Sequence, residues 1–196
     1  MDASGAARRN VELKAKDPDP ARSLAICRSL DAVDCGVISQ RDTYFDVPNG
    51  GLKLREESPG KPHLIQFQRA NQSQQRESSY RVIPVEDGAS LRAALRESLG
   101  ERGVVVKRRR LFLWGYVRVH LDAVQDLGSF IELEAVAPAD SDLTREYQLV
   151  AELRDALRIT DELLCANGYA DQLLSDPRVG RRSASVSRSN KSRPSA

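Results

Sequence analysis

Three observations in the sequence predict an α+β fold built on an antiparallel β-barrel of about eight strands. Short segments of period-two alternation recur along the chain, and helical spacing is confined to a few inserts. Few strands alternate directly with a helix, which disfavours a doubly wound parallel sheet. Charge within the strands is segregated by sign, basic on several and acidic on one.

The first strand is Val11-Glu12-Leu13-Lys14-Ala15-Lys16, broken by Asp17-Pro18-Asp19-Pro20. Residues 21–30 read as a short helix from the spacing of Ala21, Leu24, Ala25 and Arg28. Residues 40–47 read as a strand that ends in the turn Pro48-Asn49-Gly50-Gly51. Leu52-Lys53-Leu54-Arg55 alternates again, and Ser58-Pro59-Gly60-Lys61-Pro62 turns into a strand over 63–69. A polar loop is expected over 71–76 and a strand over 79–85. Leu91, Ala94, Leu95 and Leu99 line one side of a helix over 88–99, which Gly100 stops. Three consecutive strands follow, over 104–114, 116–122 and 130–136. Helical spacing then returns over 142–157, and a last short helix is expected over about 160–167, ending at Gly168.

At 196 residues the chain suits one domain with tails, and it is long enough to bury a core. Its 40% hydrophobic content exceeds that of a disordered chain, yet its apolar runs are only a few residues long. Residues 1–10 lack the apolar stretch of a signal peptide. Cys27, Cys35 and Cys165 form neither a disulfide framework nor a C-x-x-C metal site, so the expected compartment is a reducing cytoplasm. The near-zero net charge of +2 conceals a basic end: after Ser175, six Lys and Arg face only Asp176, leaving about −3 on the remainder. Residues 175–196 are therefore expected to be a disordered tail without a specific nucleic-acid partner, since no aromatic residue interleaves the charges. Residues 1–9 are expected to be disordered as well, which leaves one domain over 10–174.

Period two puts Glu12, Lys14 and Lys16 on one strand face. Lys53 and Arg55 share a face, as do Lys107 and Arg109, then Arg118, His120 and Asp122, then Glu132 and Glu134. A half-solvated sheet also alternates polar with apolar. Segregation of sign by strand favours a sheet closed with these faces inward, its apolar outside covered by helices. Such an interior is a charged tunnel, stable when filled by anions, metal and water. Lys and Arg from many strands match the charges of a polyphosphate, and carboxylates at i and i+2 suit a hard cation such as Mg²⁺. The chemistry implied is a metal-assisted reaction at a triphosphate. Phosphate-loop, dinucleotide and nucleophile-elbow motifs are absent, and two histidines leave few ligands for zinc.

The order of these motifs resembles the CYTH superfamily of triphosphate tunnel metalloenzymes, which includes class IV adenylate cyclases and thiamine triphosphatases. The family's E-x-E-x-K strand corresponds to Glu12-Leu13-Lys14-Ala15-Lys16. The likeness continues through Asp42-Thr43-Tyr44-Phe45, Leu52-Lys53-Leu54-Arg55, Lys107-Arg108-Arg109 and Arg118-Val119-His120-Leu121-Asp122. It ends in Leu127-Gly128-Ser129-Phe130-Ile131-Glu132-Leu133-Glu134. The resemblance implies a closed eight-stranded tunnel with helices outside, covering about residues 10–174. It implies that Glu12, Asp122, Glu132 and Glu134 form the catalytic, metal-binding set for Mg²⁺ or Mn²⁺. It implies that Lys16, Lys53, Arg55, Lys107, Arg109 and Arg118 bind phosphate, with Arg41, Arg69 and Arg81 as further candidates. One departure stands out: Lys14 occupies the position of the second Glu, removing a metal ligand and adding a cation that would contact phosphate. The function expected is a metal-dependent triphosphatase or class IV-like adenylate cyclase. The alternative is a non-catalytic module that binds polyphosphate or a phospho-ligand.

Overall fold

A computed structural model describes residues 6–69 and 72–175, so the basic tail expected over 175–196 lies, apart from Ser175, outside the described residues. Eight antiparallel strands close into a barrel, as the sequence predicts. In chain order they are β1 (Arg8–Lys16), β2 (Val33–Phe45), β3 (Gly51–Ser58), β4 (His63–Arg69), β5 (Arg76–Pro84), β6 (Glu101–Trp114), β7 (Val117–Val124) and β8 (Gly128–Ala137). Around the barrel the order is β1-β5-β4-β3-β2-β6-β7-β8, with β8 pairing back onto β1. The helices are α1 (Pro20–Ser29), α2 (Gly88–Leu99), α3 (Thr144–Ala156) and α4 (Tyr169–Ser175). None of the described helices is long and apolar enough to cross a membrane.

The helices show why the charged faces turn inward. The outward residues Val11, Leu13 and Ala15 of β1 join Val117 and Val119 of β7 and Ile131, Leu133 and Ala135 of β8 in one buried cluster. Val150 and Leu153 of α3 and Cys27 of α1 close over it. Each large apolar side chain buried there contributes roughly 1.5–3 kcal/mol, and a one-residue slip would turn all of them into the tunnel. Burial also pushes the Cys27 thiol up to about 11, so Cys27 is a core residue and a poor nucleophile. Caps fix two helix starts: Asp19 accepts from the Arg22 amide and Asp87 from the Ser90 amide.

Several boundaries depart from the sequence expectation: β5 begins at Arg76, inside the polar loop expected over 71–76, and β6 begins at Glu101 rather than at 104. Arg8 and Arg9, expected in a disordered start, lie in β1, where their backbone pairs with Tyr80 and Ser79 and the Arg9 guanidinium donates to the Ser141 carbonyl at 2.7 Å. β2 begins at Val33 rather than near residue 40, because a register shift between Asp34 and Val37 hides the alternation. The helix expected over 160–167 is only a single 3-10 turn, Asp161–Leu163; Leu164 then bridges to Ala15, and the helix itself starts after Gly168 as α4. A Cβ at Gly168 would lie 2.5 Å from an Arg69 guanidinium nitrogen, so a larger residue there would have to displace the Arg69 side chain.

Candidate functional site

Strand register stacks the charges into rows inside the barrel. Glu12 of β1 lies opposite Glu134 of β8, which lies opposite Arg118 of β7. One step along, Lys14 lies opposite Glu132, which lies opposite His120. Arg109 of β6 faces Asp122 of β7, and Asp42 of β2 faces Arg55 of β3. Seven basic side chains line the resulting cavity: Lys14, Lys53, Arg55, Arg69, Lys107, Arg109 and Arg118. The carboxylates that reach it are Glu12, Glu132 and Glu134.

Behind this lining, buried carboxylates hold the cations in place. Asp42 accepts from Arg55 Nε at 2.8 Å and from Lys53 Nζ at 3.0 Å. Asp122 accepts from both arms of Arg109 at 2.7 and 2.6 Å, from Lys107 Nζ at 3.1 Å and from the Tyr169 hydroxyl at 3.0 Å. Arg109 also donates to Glu132 Oε2 at 2.6 Å, and Lys14 Nζ donates to Glu132 Oε1 at 2.5 Å. Glu12 is held by Arg76 Nε at 2.9 Å and Arg69 at 3.1 Å. Glu134 is gripped least: Arg118 stands 3.7 Å away and His120 Nδ1 3.9 Å.

The titration of these groups follows from that pairing. Burial pushes the Asp42 carboxyl up, but the charges of Arg55 and Lys53 outweigh it and hold the group well below the usual carboxylate range. Asp122 is pulled down in the same way, by Arg109 and Lys107 against burial, and Glu132 by Lys14 and Arg109. Burial and the Arg109 charge depress His120, so its imidazole is neutral at pH 7. Burial, with Arg109 beside it, lowers Lys107 to about 7, against the pull of Asp122. That places Lys107 at its titration midpoint near neutral pH.

A prediction follows from Lys107. A phosphate anion in the cavity favours the ammonium, so binding raises the Lys107 pKa and takes up a proton. Tripolyphosphate affinity should therefore weaken as pH rises above about 7, and stability of the free protein should rise between about 7 and about 10.4, where the unfolded chain binds the extra proton. Calorimetry in two buffers of different ionisation enthalpy reads the uptake. Lys107→Arg, which is charged throughout, should abolish it; equal uptake in both proteins would refute the assignment.

A family model for the CYTH domain matches residues 8–167. The chain belongs to the CYTH family. No curated protein matches it significantly. Among solved structures, the PH1012 protein of Pyrococcus horikoshii OT3 has a TM-score of 0.71 at 20% identity, over 83% of this chain and 98% of that one. A candidate adenylate cyclase from Vibrio parahaemolyticus has a TM-score of 0.70 at 16% identity, over 85% and 98%. HpAC1 from Hippeastrum, whose dominant activity is that of a triphosphatase, has a TM-score of 0.58 at 13% identity, over 90% and 96%. At these identities the likeness is one of fold.

Within this CYTH barrel, two residues expected at the site stand apart from the cavity. Lys16 sits toward the end of β1, its ammonium 4.1 Å above the Phe130 ring and 3.4 Å from the Leu127 carbonyl. Asp122 is fully buried behind Arg109 with its oxygens already engaged. Of the further candidates, Arg69 lines the cavity, whereas Arg41 pairs with Glu56 outside it at 3.8 Å. Arg81 lies between Tyr80 and Val82, which face inward, and so points out of the barrel, as the exposed Arg108 does between Lys107 and Arg109. Sequence reasoning missed Arg76 and Tyr169. The Arg76 side chain is almost fully buried, and the Tyr169 ring carries Lys14 Nζ at 3.8 Å and Lys107 Nζ at 4.9 Å.

Among the described residues, one group of side chains in the barrel could hold a metal ion. Glu132, Glu134 and His120 present ligand atoms that all lie within 4.8 Å of one another, and Glu134, the least engaged carboxylate, faces the cavity. The position that would carry a further carboxylate on β1 carries the Lys14 ammonium instead.

Proposed function

We propose that this chain is a divalent-metal-dependent enzyme acting on a nucleoside, organic or inorganic triphosphate, as a triphosphatase or a class IV-like adenylate cyclase. The observation that carries the reading is the cavity itself, where seven cationic side chains outnumber three carboxylates. Counting Asp42 and Asp122 behind the lining, two more cations than carboxylates remain, and this surplus on the inner wall complements a triphosphate. Arg55 and Arg109 offer forked donors to non-bridging oxygens, and Lys14, Lys53 and Lys107 act as point charges between them. Asp42 and Asp122 position these cations from behind, so the phosphate chain meets them already oriented. In this role Asp122 is an anchor rather than the ligand the sequence suggested.

Glu12, Glu132 and Glu134 are the groups that would hold Mg²⁺ or Mn²⁺, through carboxylate oxygens. Bound there, the ion would polarise a phosphoryl oxygen and lower the pKa of a bound water. When phosphate draws Lys14 and Arg109 away from Glu132, that carboxylate loses its partners, so substrate and cation binding support each other. The testing experiment offers ATP, tripolyphosphate and thiamine triphosphate with Mg²⁺ or Mn²⁺ and assays both phosphate release and cyclic AMP. Metal-dependent release supports a triphosphatase and cyclic AMP a cyclase. Binding without turnover on any substrate supports the non-catalytic module instead.

Lys14 is the observation that favours that second reading, since its ammonium occupies Glu132 where a metal would. A fixed ammonium neutralises a phosphate oxygen but cannot activate a water. Tripolyphosphate is therefore expected to bind in the presence of EDTA, while turnover still requires metal. Lys14→Glu should make binding strongly metal-dependent and raise apparent metal affinity. Identical calorimetric titrations of the two proteins, with and without EDTA, would show that Lys14 does neither job.

A further inference from the structure

We infer that His120 supplies a nitrogen ligand to the tunnel cation, so that the site selects first-row transition ions over Mg²⁺. The inference rests on the metal-dependent reading above and deepens it. His120 is 4% exposed, on β7, facing into the barrel between Arg118 and Asp122 in register. Its Nδ1 is buried and makes no hydrogen bond of normal length, the nearest carboxylate oxygen being Glu132 Oε2 at 3.5 Å. A ring nitrogen left unpaired at that depth costs roughly 1–3 kcal/mol. The atom does not face an apolar wall: it is aimed at two carboxylates, 3.5 Å from Glu132 Oε2 and 3.9 Å from Glu134 Oε1. All three ligand atoms lie within 4.8 Å of one another, a separation that one ion can span with small side-chain shifts.

The identity of the ion follows from the donors. Carboxylate oxygens alone suit Mg²⁺, Ca²⁺ and Mn²⁺ about equally in kind, whereas imidazole nitrogen favours the later divalent ions of the first row. Mg²⁺ also keeps its waters and prefers oxygen in near-octahedral array. Replacing one oxygen by Nδ1 therefore penalises Mg²⁺ relative to Mn²⁺, and more so relative to Co²⁺. Glu132 is occupied at rest by Lys14 and Arg109. The site is thus expected to fill when tripolyphosphate draws those cations off, which makes the anion a co-ligand in the test.

The experiment uses the full chain with Mn²⁺ and tripolyphosphate. A pulsed electron-spin-echo spectrum of bound Mn²⁺ should contain modulation from a directly coordinated imidazole nitrogen. Competition titrations should give Mn²⁺ an affinity at least about tenfold above Mg²⁺, and Co²⁺ higher still, in the order that nitrogen ligation imposes. His120→Asn puts an oxygen near the Nδ1 position. It should erase the nitrogen modulation and bring the Mn²⁺ to Mg²⁺ ratio toward unity. Bound Mn²⁺ without nitrogen modulation in the unmodified protein overturns the inference while leaving a carboxylate metal site intact, and this holds even where the variant does not fold. A complete lack of Mn²⁺ binding in the presence of tripolyphosphate overturns both the inference and the metal-dependent reading.

Discussion

Arg109→Met should be the most destabilising single substitution in the tunnel, with a loss of about 3–5 kcal/mol. Arg109 bridges two buried carboxylates, Asp122 at 2.7 and 2.6 Å and Glu132 at 2.6 Å. Removing it leaves Asp122 to Lys107 and the Tyr169 hydroxyl, and Glu132 to Lys14. Those partners offset part of the charge, so the lower end of the range is expected. At roughly 2–4 °C per kcal/mol for a chain of this size, the melting temperature should fall by about 6–12 °C. The double variant Arg109→Met/Asp122→Leu should recover part of the loss, because it removes a buried charge together with its partner. Thermal scans of the three proteins decide it: a single-variant shift under about 2 °C would mean the tunnel is hydrated enough to tolerate a bare Asp122. The sign with pH is fixed by the depressed Asp122 and Glu132 groups, whose contribution is present above about pH 4 and lost as acid protonates them.

What the sequence made legible is the part of the tunnel written in a local period. Lys53 and Arg55, Lys107 and Arg109, and Glu132 and Glu134 all line the cavity because each pair sits at i and i+2 on an unbroken strand. The closed barrel followed from the same alternation, since the apolar partners of those residues needed a helical cover. Arg76 escaped because it is the first residue of β5 after a polar run, and its partner Glu12 lies 64 positions away. No local pattern encodes a contact of that span. Tyr169 escaped because α4 has only 7 residues, too few for a helical period to register, and Gly168 reads as readily as a stop as a start. Lys16 kept the phase of Glu12 and Lys14 yet lies beyond the cavity: period two assigns a face of the sheet, not a depth along the barrel.

Glu134→Gln should have the largest effect on turnover with little effect on folding. The substitution keeps size and hydrogen-bonding reach and removes one charge. Glu134 lines the cavity and carries no tight ion pair, its nearest cation being Arg118 at 3.7 Å. Unlike Glu12, whose loss would strand Arg76 and Arg69, it supports little of the wall around it. Arg109 and Arg118 nearby would be relieved of a charge, not left bare, since Arg109 keeps Asp122 and Arg118 is partly exposed. The expected result is a melting temperature within about 3 °C of the unmodified protein, by the same size scaling, and no more. Turnover should fall at least about a hundredfold, equivalent to roughly 2.7 kcal/mol of transition-state stabilisation. Glu132→Gln makes the complementary case: turnover should fall by a similar factor, but Lys14 and Arg109 would then share a neutral amide, so stability should fall too. The measurement is kcat on the best substrate of the panel, at saturating and at low metal, beside a thermal scan of each variant. If Glu134→Gln turns over at a near-normal rate at low metal, the carboxylate row of β8 is structural and the cation site lies elsewhere in the barrel.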